Sequence, residues 1–346
     1  MTRLTIAAVV VAALGAVAIH AQETRSDTLL TTEHWLDWER VSDAQISPDS
    51  ARVVYTRQVV NKIEDKWESS LWTVNADGSQ NRFLVKGSAA RWSPDGKRLL
   101  YTAEGEPKGS QLFVRWVDVD GPATQITRTT ETPRGAKWSP DGKWIAFSMF
   151  TPEQERWPIS IASEPKGAKW TPAPRIVDTL HFRQDQVGFL EDGNVRLYVV
   201  PSDGGTPREM TGASLNLAPG ELRGAPSLDW TPDSQAIVFN ATPTADGDLK
   251  YQSSSLYVKT LAPGEKRDLV VKPGVWTNPV VSPDGKLVAC TMTSPGRRDL
   301  AVVPFTGGEP EILTADIDGF AYTPAWSPDG RLIAYSRWKP GGFQRE

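Results

Sequence analysis

Cysteine is almost missing from this 346-residue chain: Cys290 is the sole one, so no disulfide forms within it. It falls in the apolar run Leu287-Val288-Ala289-Cys290, where a small sulfur side chain reads as core filler, not as a nucleophile or ligand. Histidine is scarce as well, with His20, His34 and His181 the only three, which argues against a zinc centre. No basic block interrupts a chain of net charge −4, and that excludes nucleic acid as the expected partner. Beyond the first 21 residues no run is apolar and long enough to span a bilayer. Nor does a G-x-S-x-G nucleophile elbow occur; the nearest string, Gly212-Ala213-Ser214-Leu215-Asn216, lacks the final glycine that lets strand and helix pack around such a turn.

The amino terminus carries one cation, Arg3, and then an apolar stretch from Ile6 to Ile19 made mostly of Ala and Val. This is the pattern of a secretory signal peptide over residues 1–21, with small-residue cleavage sites after Ala18 and after Ala21. The stretch is shorter than the roughly 20 residues a membrane anchor needs. The expected location is therefore outside the cytoplasm, periplasmic or extracellular.

Six near-copies of Ser-Pro-Asp-Gly organise the rest. They begin at Ser47, Ser93, Ser139, Thr231, Ser282 and Ser327, at steps of 46, 46, 92, 51 and 45 residues. In each, proline presets φ at the second position, aspartate suits the third, and the fourth takes the left-handed conformation that starts a returning strand. Ser50 and Ser234 hold that fourth place in two copies, where a residue with a Cβ costs about 1 kcal/mol and a slightly different turn is expected. After the turn comes an apolar run closed by a small polar residue: Val53-Val54-Tyr55-Thr56, Ile145-Ala146-Phe147-Ser148, Ile237-Val238-Phe239-Asn240 and Ile333-Ala334-Tyr335-Ser336. Continuous apolar strands belong to sheets covered on both faces. A third strand (Leu71-Trp72-Thr73-Val74, Leu112-Phe113-Val114, Leu256-Tyr257-Val258, Leu300-Ala301-Val302-Val303) and a short fourth (Gln125-Ile126-Thr127, Glu311-Ile312-Leu313-Thr314) complete the unit.

Four strands recurring every 45 to 51 residues predict an all-β protein, a β-propeller. Because 92 is twice 46, a degenerate unit is expected near residue 185, with Val187-Gly188-Phe189-Leu190, Arg196-Leu197-Tyr198-Val199-Val200 and Arg208-Glu209-Met210-Thr211 as its remnants. That makes about seven four-stranded blades over residues 46–346, the last incomplete from about residue 320, behind a lead segment at 22–45. Trp92, Trp138, Trp230 and Trp326 stand immediately before four of the turns, where a large ring fills the gap between blades. A carbohydrate-binding aromatic stripe is the functional alternative. The proline-rich stretch from Pro152 to Pro174 is expected to be a long loop reaching over one face.

Three segments add a family. Thr32-Glu33-His34-Trp35-Leu36-Asp37-Trp38 followed by Val41-Ser42-Asp43-Ala44-Gln45-Ile46, and the ending Tyr335-Ser336-Arg337-Trp338-Lys339-Pro340-Gly341-Gly342-Phe343, resemble the propeller of exported serine peptidases of the prolyl oligopeptidase family, as does Leu180 to Arg208. The resemblance implies a propeller that precedes an α/β-hydrolase domain, caps its active site and admits short peptides. It also implies that the chain continues past its seventh unit; the competing expectation is that Thr24 to Ile46 supplies the missing strands. The same Trp-Ser-Pro-Asp-Gly repeats are shared by TolB-like propellers, which implies a binding module for envelope proteins instead.

No catalytic, cofactor-binding or metal-binding residue is assigned. A propeller that is itself an enzyme needs converging ligands, and Asp118-x-Asp120-Gly121 and Asn75-x-Asp77-Gly78 lack the remaining positions of a calcium loop. Glu153, Glu155 and Glu191 lie in polar loops, where solvated surface is the default. His34 and His181 sit in no hydrolase-like strand-to-helix context.

Overall fold

All six Ser-Pro-Asp turns fold alike, and the reason is local. The leading hydroxyl (Ser47, Ser93, Ser139, Thr231, Ser282, Ser327) donates to the Asp carboxylate at 2.5–2.7 Å. That oxygen also accepts the N–H five residues on, at 2.9–3.0 Å. The carboxylate accepts the N–H two residues after itself, at 3.0–3.1 Å. The fourth residue has φ between 58° and 72° in every copy, Ser50 and Ser234 included. The expected difference in turn type is therefore not seen, because the hydrogen bonds that fix the turn do not involve the fourth side chain.

The computed structural model describes residues 30–117, 121–153, 162–171, 177, 179–185, 187–218, 226–250, 253–270 and 272–338. The leader, Glu155 and the Asp118/Asp120 pair lie outside them. The first blade consists of β1 (Glu39–Ile46), β2 (Arg52–Asn61), β3 (Lys66–Asn75) and β4 (Arg82–Lys86), and the second of β5 (Ser88–Trp92), β6 (Arg98–Gly105), β7 (Gly109–Trp116) and β8 (Thr124–Gln125). In the third, β9 (Arg134–Trp138) and β10 (Trp144–Pro152) are followed by a small separate hairpin, β11 (Arg183–Gln184) and β12 (Gly188–Phe189), before β13 (Gly193–Pro201) and β14 (Arg208–Glu209) complete the sheet. A short β15 (Leu215–Asn216) leads to the fourth blade, β16 (Leu228–Trp230), β17 (Ala236–Pro243), β18 (Ser255–Thr260) and β19 (Arg267–Val270). The fifth holds β20 (Val275–Val281), β21 (Leu287–Ser294), β22 (Arg297–Pro304) and β23 (Glu311–Ile312), and a sixth has β24 (Phe320–Trp326) and β25 (Ile333–Trp338). Because β1 pairs with β2, the stretch Glu39–Ile46 belongs to the first blade.

The chain is thus an all-β propeller with five four-stranded blades and two strands of a sixth, among the described residues, and the count of seven is corrected. The 92-residue step hides an insertion, not a blade. β10 and β13 pair without a break from Trp144↔Pro201 to Pro152↔Gly193, and the Glu153 N–H closes on the Asp192 carbonyl at 3.0 Å. Of the remnants assigned to a separate unit, residues 196–200 and 208–211 fall on the third and fourth strands of blade three, and residues 187–190 fall on the small inserted hairpin. Contacts between blades three and four leave no room for another: the Trp230 indole donates to the Lys137 carbonyl at 3.2 Å, and the Asp141 N–H to Ser234 Oγ at 3.0 Å.

Trp92, Trp138 and Trp326 repeat that link, donating to the carbonyls of Gln45, Arg91 and Val280 at 3.1, 3.1 and 2.9 Å. Each ring fills the gap to the preceding blade, and each N–H finds an acceptor there, as a buried indole requires. The glycine of a turn also backs onto the proline of the turn before it: Gly96 on Pro48, Gly142 on Pro94, Gly285 on Pro232 and Gly330 on Pro283. Apolar clusters lie at the successive junctions of the first five blades, for example Ala146, Leu197 and Val199 of blade three against Trp230, Ile237 and Phe239 of blade four. Burial on both faces explains the continuous apolar runs, since Ile237, Val238 and Phe239 are all wholly buried.

Among the described residues, 30–40 and 58–68 group as a small unit. Within it, a 3-10 turn at Glu33–Asp37 brings Trp35 and Trp38 to 4.4 Å between ring centroids, the Arg40 guanidinium lies 4.3 Å above Trp67, and Lys62 binds Asp37.

Candidate functional site on the inner strands

The first strand of each blade is an edge of its sheet, and in a propeller these edges line the central axis. Four residues before five of the six turns the backbone here is left-handed: Asp43, Ala89, Gly135, Asn278 and Thr323 all have φ between 47° and 61°. The small polar residue that closes the apolar run of the second strand reaches this place. Ser148 donates to the Arg134 carbonyl at 3.1 Å, Thr291 meets Thr277 Oγ1 at 2.9 Å, and Ser336 meets Thr323 Oγ1 at 3.0 Å. In blade four Ser227 takes the position, and its N–H and hydroxyl both donate to Asn240 Oδ1, at 3.0 and 2.8 Å. In blade one Thr56 Oγ1 is buried without a partner.

Two residues before three of the turns the side chain is charged, as Arg91, Lys137 and Asp229, and each of these meets an opposite charge on a neighbouring blade. Arg91 holds Asp43 at 2.7 Å, and Lys137 holds Asp229 at 2.7 Å, with Asp229 also accepting the Val281 N–H at 2.8 Å. Arg91 and Lys137 remain part exposed. The arrangement offers hydrogen-bonding groups to an extended polypeptide and contains nothing that activates a nucleophile. On the sixth blade an open cleft of about 540 Å³ is lined by Tyr322, Thr323, Ser336, Arg337 and Trp338.

The residues weighed from sequence are placed elsewhere. Cys290 is fully buried in the cluster between blades four and five, and burial pushes its thiol up to about 12, which leaves it inert. His34 packs its Nδ1 against the Thr31 N–H at 2.9 Å in the 3-10 turn. His181 belongs to the inserted segment, where Asp248 accepts the N–H groups of Leu180 and His181 at 2.7 and 3.1 Å and lies 3.4 Å from the imidazole. The Leu180 amide, opposed by partial burial and helped by His181, holds the Asp248 carboxyl below its ordinary value. Asn75 and Asp77 form an ordinary turn closed on Ser79. Ser214 lies in an exposed turn, Glu153 Oε1 accepts from the Asn194 side-chain amide at 3.0 Å, and Glu191 is exposed. No group of three or more His, Cys, Asp or Glu that would hold a metal occurs among the described residues. The left-handed bulge was missed: its residues are Asp, Ala, Gly, Asn and Thr, and only Gly, Asn and Asp among these hint at positive φ.

No family profile matches the chain. Among curated proteins it is 26% identical over 220 residues to an uncharacterized peptidase, YuxL, of Bacillus subtilis, covering 60% of this chain and 30% of the relative. It is 33% identical over 91 residues to dipeptidyl-peptidase 5 of Porphyromonas endodontalis, covering 25% and 13%. In three dimensions it matches an acylaminoacyl peptidase from Pyrococcus horikoshii at a TM-score of 0.63 and 16% identity, over 89% of this chain and 44% of the other. Prolyl oligopeptidase B from Galerina marginata follows at 0.58 and 12%, over 87% and 38%. TolB from Acinetobacter baumannii is looser, at 0.49 and 16%, over 87% and 75%. The chain spans a third or less of the length of its curated relatives and less than half of the two peptidase structures. In fold it corresponds to the propeller domains of acylaminoacyl peptidase and prolyl oligopeptidase.

Proposed function

We propose that this chain is the non-catalytic, substrate-gating propeller part of an exported serine peptidase that acts on peptides. The observation that carries the reading is the ring of inner strands, edged by the Arg91–Asp43 and Lys137–Asp229 pairs, in a chain whose curated relatives are peptidases. A passage framed by blades locked together through buried clusters and indole bonds would keep a fixed width. Such a passage passes extended peptides and turns folded proteins away, so its contribution is steric and orienting rather than bond-making. Cleavage itself is assigned to a hydrolase domain outside the described residues, and the apolar leader supports export.

The test uses the purified chain with a fluorescent hexapeptide as ligand. The expected result is no reaction with a fluorophosphonate probe, weak peptide binding read as anisotropy, and competition by other short peptides but not by a folded protein such as ubiquitin. Stoichiometric labelling of one serine, or equal competition by ubiquitin, overturns the reading.

A further inference from the structure

The insertion in blade three is not needed to complete its sheet, since β10 and β13 pair without a break beneath it. β10 and β17 both run away from their turns, so Pro152 and Pro243 mark the end of the propeller opposite the turns, where the inner strands β9 and β16 begin. The insertion leaves blade three at this end, and its hairpin, β11 and β12, is a sheet of its own. A lone two-stranded hairpin is at best marginally stable. This one is fastened to the next blade: Asp248, in the loop between β17 and β18, accepts the N–H groups of both Leu180 and His181. The hairpin thus bridges blades three and four at the end where their inner strands start.

What it presents there is apolar. Leu180, Phe182, Val187 and Phe189, with Leu249 next to the anchor, are between 40% and 78% exposed. The Phe182 and Phe189 rings lie 6.1 Å apart, and the bond from the Leu180 N–H to Asp248 brings Leu180 beside Leu249. Five such side chains together, on an element pinned in place, go beyond the scattered apolar residues of an ordinary surface. They expose on the order of 400 Å² of apolar surface between them. A stable dimer or a docked domain takes about 800 Å² from each partner. The patch is about half that size, which suits a short stretch of extended chain and not a folded one.

We infer, on the basis of the peptide-gating reading, that the inserted hairpin is an apolar subsite at the mouth of the passage, that it selects peptides carrying bulky apolar side chains, and that Asp248 is the positioning residue that holds it there. A phenylalanine or leucine of the peptide leaves water against Phe182 and Phe189, whereas a polar side chain gains nothing from them.

The test compares two neutral fluorescent hexapeptides on the purified chain, one with phenylalanine and leucine at alternate places and one with serine and asparagine there. The apolar peptide is expected to bind at least tenfold more tightly. Phe182→Ser combined with Phe189→Ser should bring the two affinities within about twofold by weakening the apolar peptide alone, while Phe83→Ser, a comparably exposed ring on β4, should keep the preference. Asp248→Ala should raise amide hydrogen exchange at Leu180 and His181 at least tenfold and lower the affinity for the apolar peptide only. Equal affinities in the unsubstituted chain overturn this inference and leave the peptide-gating reading standing; binding of neither peptide overturns both. A preference that survives the double phenylalanine variant puts the subsite elsewhere, and unchanged exchange in Asp248→Ala removes Asp248 from its role. A doubled mass by light scattering that halves in the double phenylalanine variant gives the patch to a second copy of the chain and overturns the inference as well.

Discussion

Ser50 and Ser234 occupy the same left-handed turn position, yet their surroundings differ. Ser50 is exposed, while Ser234 is buried and accepts the Asp141 N–H from the neighbouring blade. Exchange of either for glycine removes a strained Cβ and adds freedom to the unfolded chain, two effects of about 0.5–1 kcal/mol that oppose each other. Ser50→Gly is therefore expected to be nearly neutral. Ser234→Gly also leaves the Asp141 amide without its acceptor and should cost about 1 kcal/mol more, a gap that guanidinium unfolding midpoints resolve. The tryptophans give a parallel contrast. Trp230→Phe keeps most of the ring but orphans the Lys137 carbonyl, at an expected cost of about 1–3 kcal/mol. Trp326→Phe, at a position only partly buried, should cost less than half as much in the same assay. Turn residues and indoles were legible in the sequence because their chemistry is local: proline, aspartate and glycine act within four residues, and a large ring recurring at one place in four of the six units has one packing role.

At the level of strands, the sequence gives order and period but not which strand pairs with which. The 92-residue step equals two periods because a 40-residue insertion, 153–192, separates β10 from β13 and a further linker precedes β16. Nothing in Arg196-Leu197-Tyr198-Val199-Val200 tells whether its partner is a lost neighbour or Ile145-Ala146-Phe147-Ser148; the unbroken register decides for the latter. The inner-strand bulge was hidden for a similar reason. Its left-handed residues share no side-chain type, whereas the small polar residue that meets the bulge was visible without its purpose. A blade predicts its own tolerance: replacing residues 154–191 by a tight turn like the one at 105–109 should leave far-ultraviolet circular dichroism intact and shift the melting temperature by only a few degrees. Loss of cooperative unfolding in that deletion would show that the insertion carries part of the fold.

For the whole molecule, the same turn repeated six times makes stability depend on pH in one direction. The turn hydroxyls and amides hold Asp49, Asp95, Asp233, Asp284 and Asp329 below the ordinary carboxylate value, and at Asp141 the Ser139 hydroxyl and Lys143 amide outweigh the opposing effect of burial. A group whose folded pKa is depressed binds its proton more readily in the unfolded chain. Its contribution is thus fully present above the unfolded value, near 4, and is lost as pH falls through the folded one. The blades lean on one another through these turns, so protonation at one loosens the seat of the next proline. Unfolding midpoints should be flat from pH 7 to about 5 and fall steeply below 4, and Asp95→Asn combined with Asp284→Asn should lower the plateau while flattening the acid limb. An acid limb of unchanged slope in that double variant would place the titrating groups elsewhere, in the exposed pairs of the surface rather than in the turns that tie blade to blade.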